Sequence, residues 1–157
     1  MSDTGAALRA LLDRRELYDL ALRYARAADR RDYAVFREIF TEQGAIHGHR
    51  GGVDTKPLYS IEGRETIVAG LSGLEQYEKT LHVVANQLVD MEGDRASGET
   101  YCMAHHIYRK DGAPMNRTMA IRYQDRFVRK DGRWYFEERR LDVDWERDRP
   151  LGEDGWV

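Results

Sequence analysis

A carboxylate and an imidazole can together do general acid–base work near neutral pH, and Asp29 and His82 are the pair whose settings suggest it. Asp29 follows Ala25 by one helical turn and Ala21 by two, on the flank of an apolar stripe. His82 lies between Leu81 and Val83 at the start of an apolar run. A carboxylate at the rim of such a stripe can fix the tautomer of a facing imidazole and stabilise its protonated form, as a general base requires. Spacing alone favours a plainer reading, a solvated helix-terminal aspartate and a satisfied core histidine. Separation along the chain shows no contact.

Other chemistries find less support. His47 and His49 share one face of a candidate strand, and His82, His105 and His106 add three imidazoles. A double-histidine metal strand expects a glutamate a few residues on, where this chain has Gly51, Gly52, Val53 and Asp54. Adjacent His105 and His106 point to opposite faces of a strand, so they serve one metal poorly. The sequence therefore predicts no metal. Gly70-Leu71-Ser72-Gly73 misses the nucleophile-elbow spacing by one residue. Cys102 sits among apolar neighbours, where a buried, inert thiol is expected. The glycine clusters lack the Gly-Lys-Ser/Thr of a phosphate loop.

The elements that must position these groups read as helices first and strands after. Leu17, Leu20, Ala21, Tyr24 and Ala28 recur at three- and four-residue steps and predict a helix over Arg14–Arg30. Leu8, Leu11 and Leu12 extend it backwards or form a separate turn. Asp32 is expected to cap a second helix, Tyr33–Thr41, with Val35, Phe36, Ile39 and Phe40 on its apolar face. Ala45–His49 reads as a short strand, followed by a polar loop to Ser60 and a short helix through Ile67, Val68 and Leu71. Thr80–Val89, Ala96–Arg109, Arg117–Arg129 and Trp134–Val143 are β-rich and are separated by Glu92-Gly93-Asp94, Asp111-Gly112 and Asp131-Gly132. Strands this long must twist and curl, and the helices are available to cover the concave side. The predicted fold is α+β, a cone-shaped barrel of N-terminal helices in a strongly curved, mostly antiparallel sheet. Trp134, Phe136, Phe127 and Leu88 are the expected core.

Composition sets outer bounds. The chain has 157 residues, 25 Lys and Arg against 28 Asp and Glu, and a net charge of −3. A single domain over residues 1–157 is expected, with its core at about 14–145 and a C-terminal tail from 146 to 157. The slight acidity argues against nucleic acid as the main partner. The longest uncharged run, Thr80–Val89, is ten residues, too short for a membrane span. No signal peptide is visible, and one cysteine permits no intrachain disulfide, so a cytoplasmic location is expected.

The run Tyr24…Ala28-Asp29-Arg30-Arg31-Asp32-Tyr33…Phe36…Ile39-Phe40 resembles the opening of the SnoaL-like branch of the nuclear-transport-factor-2-like superfamily. So do Leu81-His82-Val83-Val84-Ala85-Asn86, the strand ending Ala104-His105-His106, and the close from Tyr123-Gln124-Asp125-Arg126-Phe127 through Asp131-Gly132-Arg133-Trp134 to Trp145. Scytalone dehydratase, hexachlorocyclohexane dehydrochlorinase and the bile-acid dehydratases belong to this branch. The resemblance implies an Asp–His dyad of Asp29 and His82 and elimination chemistry without metal or organic cofactor. It places Tyr24 where the bile-acid enzymes carry a tyrosine. It aligns His106 with the second catalytic histidine of scytalone dehydratase if one residue is dropped in the turn at 92–95. Gly48 replaces the strand tyrosine of scytalone dehydratase. Ile121 and Tyr123 replace a Ser and an Asn of its fourth strand, and Tyr123 is read with Tyr24 as substrate-binding. The implied function is a cofactor-independent lyase or isomerase on a small hydrophobic, oxygenated substrate, in a homo-oligomer, dimer or trimer. A non-catalytic ligand-binding or assembly module on the same fold is the alternative, since this superfamily hosts both.

Overall fold

Two tight Asp-Gly turns shape the sheet. At Asp111-Gly112 and Asp131-Gly132 both residues have positive φ, 52° and 83° in one and 51° and 77° in the other. That is the two-residue turn whose twist matches antiparallel strands. A computed structural model describes residues 3–52 and 54–152. It contains helices α1 (Asp3–Arg30), α2 (Tyr33–Ile39) and α3 (Arg64–Gly70), with a 3₁₀ segment over Leu71–Gln76. The strands are β1 (Phe40–Arg50), β2 (Tyr59–Glu62), β3 (Lys79–Glu92), β4 (Arg95–Lys110), β5 (Ala113–Lys130) and β6 (Arg133–Pro150).

The six strands form one sheet in the order β2-β1-β6-β5-β4-β3. β1 and β6 run parallel and the other neighbours antiparallel. The sheet is curved but open, because β2 and β3 are its two edges. Irregularities in register at Val84/Gln87, Ala120/Ile121 and Arg126/Phe127 bend strands of 14 to 18 residues. β6 continues to Pro150, so the segment expected as a tail from 146 begins as strand. Among the described residues, no helix is long and apolar enough to cross a membrane.

α1 lies across the concave face. Its Leu17, Leu20, Tyr24, Ala27 and Ala28 pack with Phe36, Ile39 and Phe40 against Phe127, Trp134 and Phe136. Polar ties fix its position. Asp13 accepts from Trp134 Nε1 at 3.0 Å and Arg129 Nη1 at 2.7 Å, and Glu16 accepts from the Trp134 amide at 2.8 Å. The helix also runs back to Asp3, but Leu8, Leu11 and Leu12 on that extension are exposed.

Three expectations are corrected. Asp32 stands at the N-cap of α2 without a side-chain capping bond. That helix ends at Ile39, because Phe40 and Thr41 open β1 and are buried there. Leu88 is not core but 81% exposed. Even spacing from His82 and Val84 would turn Leu88 inward. The irregularity between Val84 and Gln87 shifts that parity, so Val89 faces inward opposite Gly98 while Leu88 opposes Glu99 on the outer face.

These placements separate two substitutions of similar chemistry. Phe136→Ala, at a fully buried site, is expected to cost about 3–5 kcal/mol in urea unfolding. Leu88→Ala is expected to stay within about 0.5 kcal/mol. A comparable cost at Leu88 would mean that its side chain packs inside.

Candidate active site

The last turn of α1 and the first residues of β3 bring Asp29 against His82. His82 Nδ1 lies 2.7 Å from Asp29 Oδ1, and the His82 backbone N–H donates to Asp29 Oδ2 at 2.9 Å. The carboxylate is thus held at both oxygens by one residue. Its side chain is 18% exposed and that of His82 7%. Burial by itself pushes the Asp29 carboxyl up. The hydrogen bonds from the His82 ring and backbone, the His82 charge and the Thr80 hydroxyl outweigh it and hold the group below its ordinary value. With Nδ1 facing a carboxylate, Nε2 is the ring nitrogen left to take a proton.

His106 stands beside this pair. Its ring centre is 5.5 Å from that of His82 and 4.6 Å from that of Tyr77. Burial, then the charges of His82 and Arg117, push its pKa down to about 4. Its Nδ1 is buried and has no hydrogen-bond partner among the described residues. The ring is neutral at pH 7, so what it offers is an N–H donor and one unoccupied nitrogen rather than an imidazolium acid.

Tyr24 and Tyr123 belong to a second cluster. Both are buried, at 5% and 2% exposure, with ring centres 5.9 Å apart. Between them lies Arg139, whose Cζ is 4.3 Å from the Tyr24 ring, 4.0 Å from Tyr123 and 4.3 Å from Phe136. Its Nε and Nη2 grip the Asp125 carboxylate at 2.9 and 2.8 Å, and both side chains are fully buried. Nη1 has no partner among the described residues. Burial raises the Tyr24 phenol, which stays protonated at neutral pH. Cys102 joins the clusters: its thiol hydrogen-bonds with Tyr123 and feels the charges of Arg139 and Asp29.

Sequence reasoning missed Arg139, Asp125, Tyr59 and Tyr77. Arg139 lies among charged neighbours, Glu137, Glu138 and Arg140, and the shifted register at Arg126/Phe127 turns it inward. Tyr59 answers the replacement at Gly48. A Cβ on Gly48 would lie 2.1 Å from Tyr59 Cε1, so the glycine lets the Tyr59 ring lie flat over β1. Tyr59 is exposed along one side of its ring, yet burial of its phenol raises that group, so it stays protonated and neutral beside Tyr24.

The remaining candidates fall into ordinary roles. Ser72 bonds the Ala69 carbonyl at 2.7 Å, and burial pushes the Cys102 thiol up. His49 bonds the Thr55 carbonyl, and His47 bonds Ser60. Among the described residues, no three His, Cys, Asp or Glu side chains converge as a metal site. A cleft of about 420 Å³ between α1 and β3 reaches both Asp29 and His82. Two larger clefts of about 620 Å³ near Asp90 contain no histidine.

The burial of His106 carries a pH signature. A histidine whose pKa falls from 6.5 unfolded to about 4 folded binds its proton preferentially in the unfolded chain. Stability is therefore intact above about pH 6.5 and falls as pH drops toward 4, by at most about 3 kcal/mol from this group. Asp29 acts lower, its contribution being present above 3.8 and lost as pH falls through its folded value. Urea unfolding from pH 7 to 4 should show the first slope in the native chain and a flatter one in His106→Gln. Equal slopes would contradict the burial described.

The sequence matches the SnoaL-like domain family over residues 9–140. None of the curated proteins matches it. Solved structures of the same fold include a hexachlorocyclohexane dehydrochlorinase, 17% identical, with a TM-score of 0.79 over 96% of this chain and 97% of that one. A scytalone dehydratase candidate from Novosphingobium aromaticivorans is 22% identical, with a TM-score of 0.76 over 100% and 99%. A nuclear-transport-factor-2-like protein with a cystatin-like fold from the same organism is 24% identical, with a TM-score of 0.70 over 91% and 89%. At these identities the structures share the fold. The family match, by contrast, spans most of the sequence, from the first long helix to β6, and the chain belongs to the SnoaL-like domain family.

Proposed function

We propose that this protein is a cofactor-independent lyase, a dehydratase or related eliminase, acting on a small hydrophobic, oxygenated substrate through Asp29 and His82. The observation that carries this reading is the two-point grip of His82 on Asp29, at 2.7 Å from the ring and 2.9 Å from the backbone. Such a grip orients an imidazole as a base and stabilises the imidazolium that forms.

His82 Nε2 removes a proton from carbon next to a carbonyl, and the released electron pair passes toward the carbonyl oxygen. The protonated Tyr24 phenol hydrogen-bonds that oxygen as charge develops, with the field of Arg139 behind it. The pair then forms the double bond as the leaving group departs from the next carbon with its bonding electrons. A departing hydroxide is hydrogen-bonded by the neutral His106 N–H or by a water bound there. It takes up the proton that the His82 imidazolium carries, directly or relayed through that water, and leaves as water with the dyad restored. Reprotonation at a different carbon, without loss of a group, would make the same machinery an isomerase. The names of two structural neighbours, a dehydrochlorinase and a dehydratase candidate, agree with elimination. A second reading, a non-catalytic binding module, draws on the tight burial of Tyr24 and Tyr123.

A thermal-shift screen of polycyclic and phenolic ketones, steroids and terpenoids identifies ligands that raise the melting temperature by mass action. Turnover of those ligands in deuterated water, followed by NMR, then reads proton removal and elimination together. His82→Ala and Asp29→Asn should each slow turnover by about 10²–10⁴-fold. Far-UV spectra should remain those of the native chain. Near-native turnover in His82→Ala overturns the reading, and ligand binding with neither exchange nor elimination favours the binding module.

A further inference from the structure

Arg31 sits immediately after α1 in a backbone conformation that normally selects glycine. Its φ is +57°. The Asp32 amide bonds the Ala27 carbonyl at 3.0 Å and the Arg31 amide the Ala28 carbonyl at 3.4 Å. This is the Schellman pairing, in which the left-handed residue is usually glycine because a Cβ is disfavoured there. An arginine in that position has a use for its side chain.

The use is visible in its hydrogen bonds. Nη1 donates to the Ala28 carbonyl at 2.7 Å and to Thr80 Oγ1 at 2.8 Å. Nη2 donates to the carbonyls of Leu74 at 3.0 Å and Tyr77 at 3.2 Å. One guanidinium thus joins the end of α1, the start of β3 and the 3₁₀ segment that leads into Tyr77. Thr80 in turn faces the Asp29 carboxylate and helps to hold its pKa down. The Tyr77 ring packs against His106, with centres 4.6 Å apart and planes tilted by 56°.

We propose that Arg31 is the positioning residue of the site: its planar fork fixes both the Thr80 side chain beside Asp29 and the backbone that carries Tyr77 against His106. A carboxylate gripped twice by His82, with a fixed Thr80 beside it, has little freedom to rotate away from the ring. A Tyr77 backbone pinned at its carbonyl keeps water off the inner face of His106. Both ends of the site are set by one group that touches neither imidazole. The proposed role rests on Asp29 and His82 being the reacting pair, but its test needs no substrate.

Arg31→Gly suits that test, because glycine is at ease in this turn and leaves the helix end intact. The His106 ring is faced by His82, by the more distant Asp29 and Arg31, by Arg117 from β5 and by Tyr77. NMR of the imidazole resonances against pH reads its protonation midpoint, and cross-relaxation between Tyr77 and His106 reads the ring contact. In Arg31→Gly the contact should be lost and the midpoint should rise by about one unit or more, as water reaches the ring. Arg31→Lys keeps the charge but cannot span four acceptors, so it should behave like Arg31→Gly. Thr80→Val should leave the Tyr77 contact intact and broaden the His82 Nδ1–H resonance. A native midpoint and contact in Arg31→Gly, or in Arg31→Lys, overturns the proposal by showing that the turn or the charge alone suffices. Because turnover is not read, a catalytically silent Asp29 would overturn the function while leaving the positioning result to stand or fall by itself.

Discussion

A carboxylate in the last turn of a helix is badly placed. The helix dipole presents negative potential there, and Asp29 is also largely shielded from water. Donors from outside the helix must offset both costs. β3 supplies them through the His82 amide and the His82 ring, with the Thr80 side chain beside them. The contact is therefore as much a condition on the fold as a feature of the site. α1 must cross the sheet where β3 begins, and the sheet must curve to meet it. Asp13 and Glu16, tied to Trp134 and Arg129, hold the opposite half of the helix at the angle this requires.

The other polar interactions follow the same economy. Arg139 is fully buried, which is tolerable only because Asp125 takes two of its nitrogens and three aromatic faces surround its charge. Its third nitrogen is left without a described partner, as is Nδ1 of His106. Buried polar atoms without partners are uncommon in folded proteins. Here one lies in each of two clusters that Cys102 connects electrostatically.

Much of this was legible in the sequence. Apolar spacing predicts α1 as far as Arg30, and the Asp-Gly pairs predict the turns that define β4, β5 and β6. What periodicity could not supply is strand parity beyond an irregularity. Leu88 turns out and Arg139 turns in because a shifted register precedes each, and nothing in the residue types marks those shifts. Asp29 and His82 were readable as residue types, whereas their contact, across 53 positions, is a product of tertiary structure. Tyr59 was hidden for a similar reason. Its ring occupies space above a glycine on the neighbouring strand, a relation that appears only when β1 and β2 pair.

The central claim is that Asp29 fixes His82 with its proton on Nδ1 and leaves Nε2 open to act as the base. Nitrogen-15 NMR of the His82 imidazole, in the neutral form of the ring and without any ligand, tests this most directly. The account predicts a protonated-type shift for Nδ1, a pyridine-type shift for Nε2, and loss of that preference in Asp29→Asn. A proton on Nε2 in the native chain, or an unchanged tautomer in the variant, would contradict it.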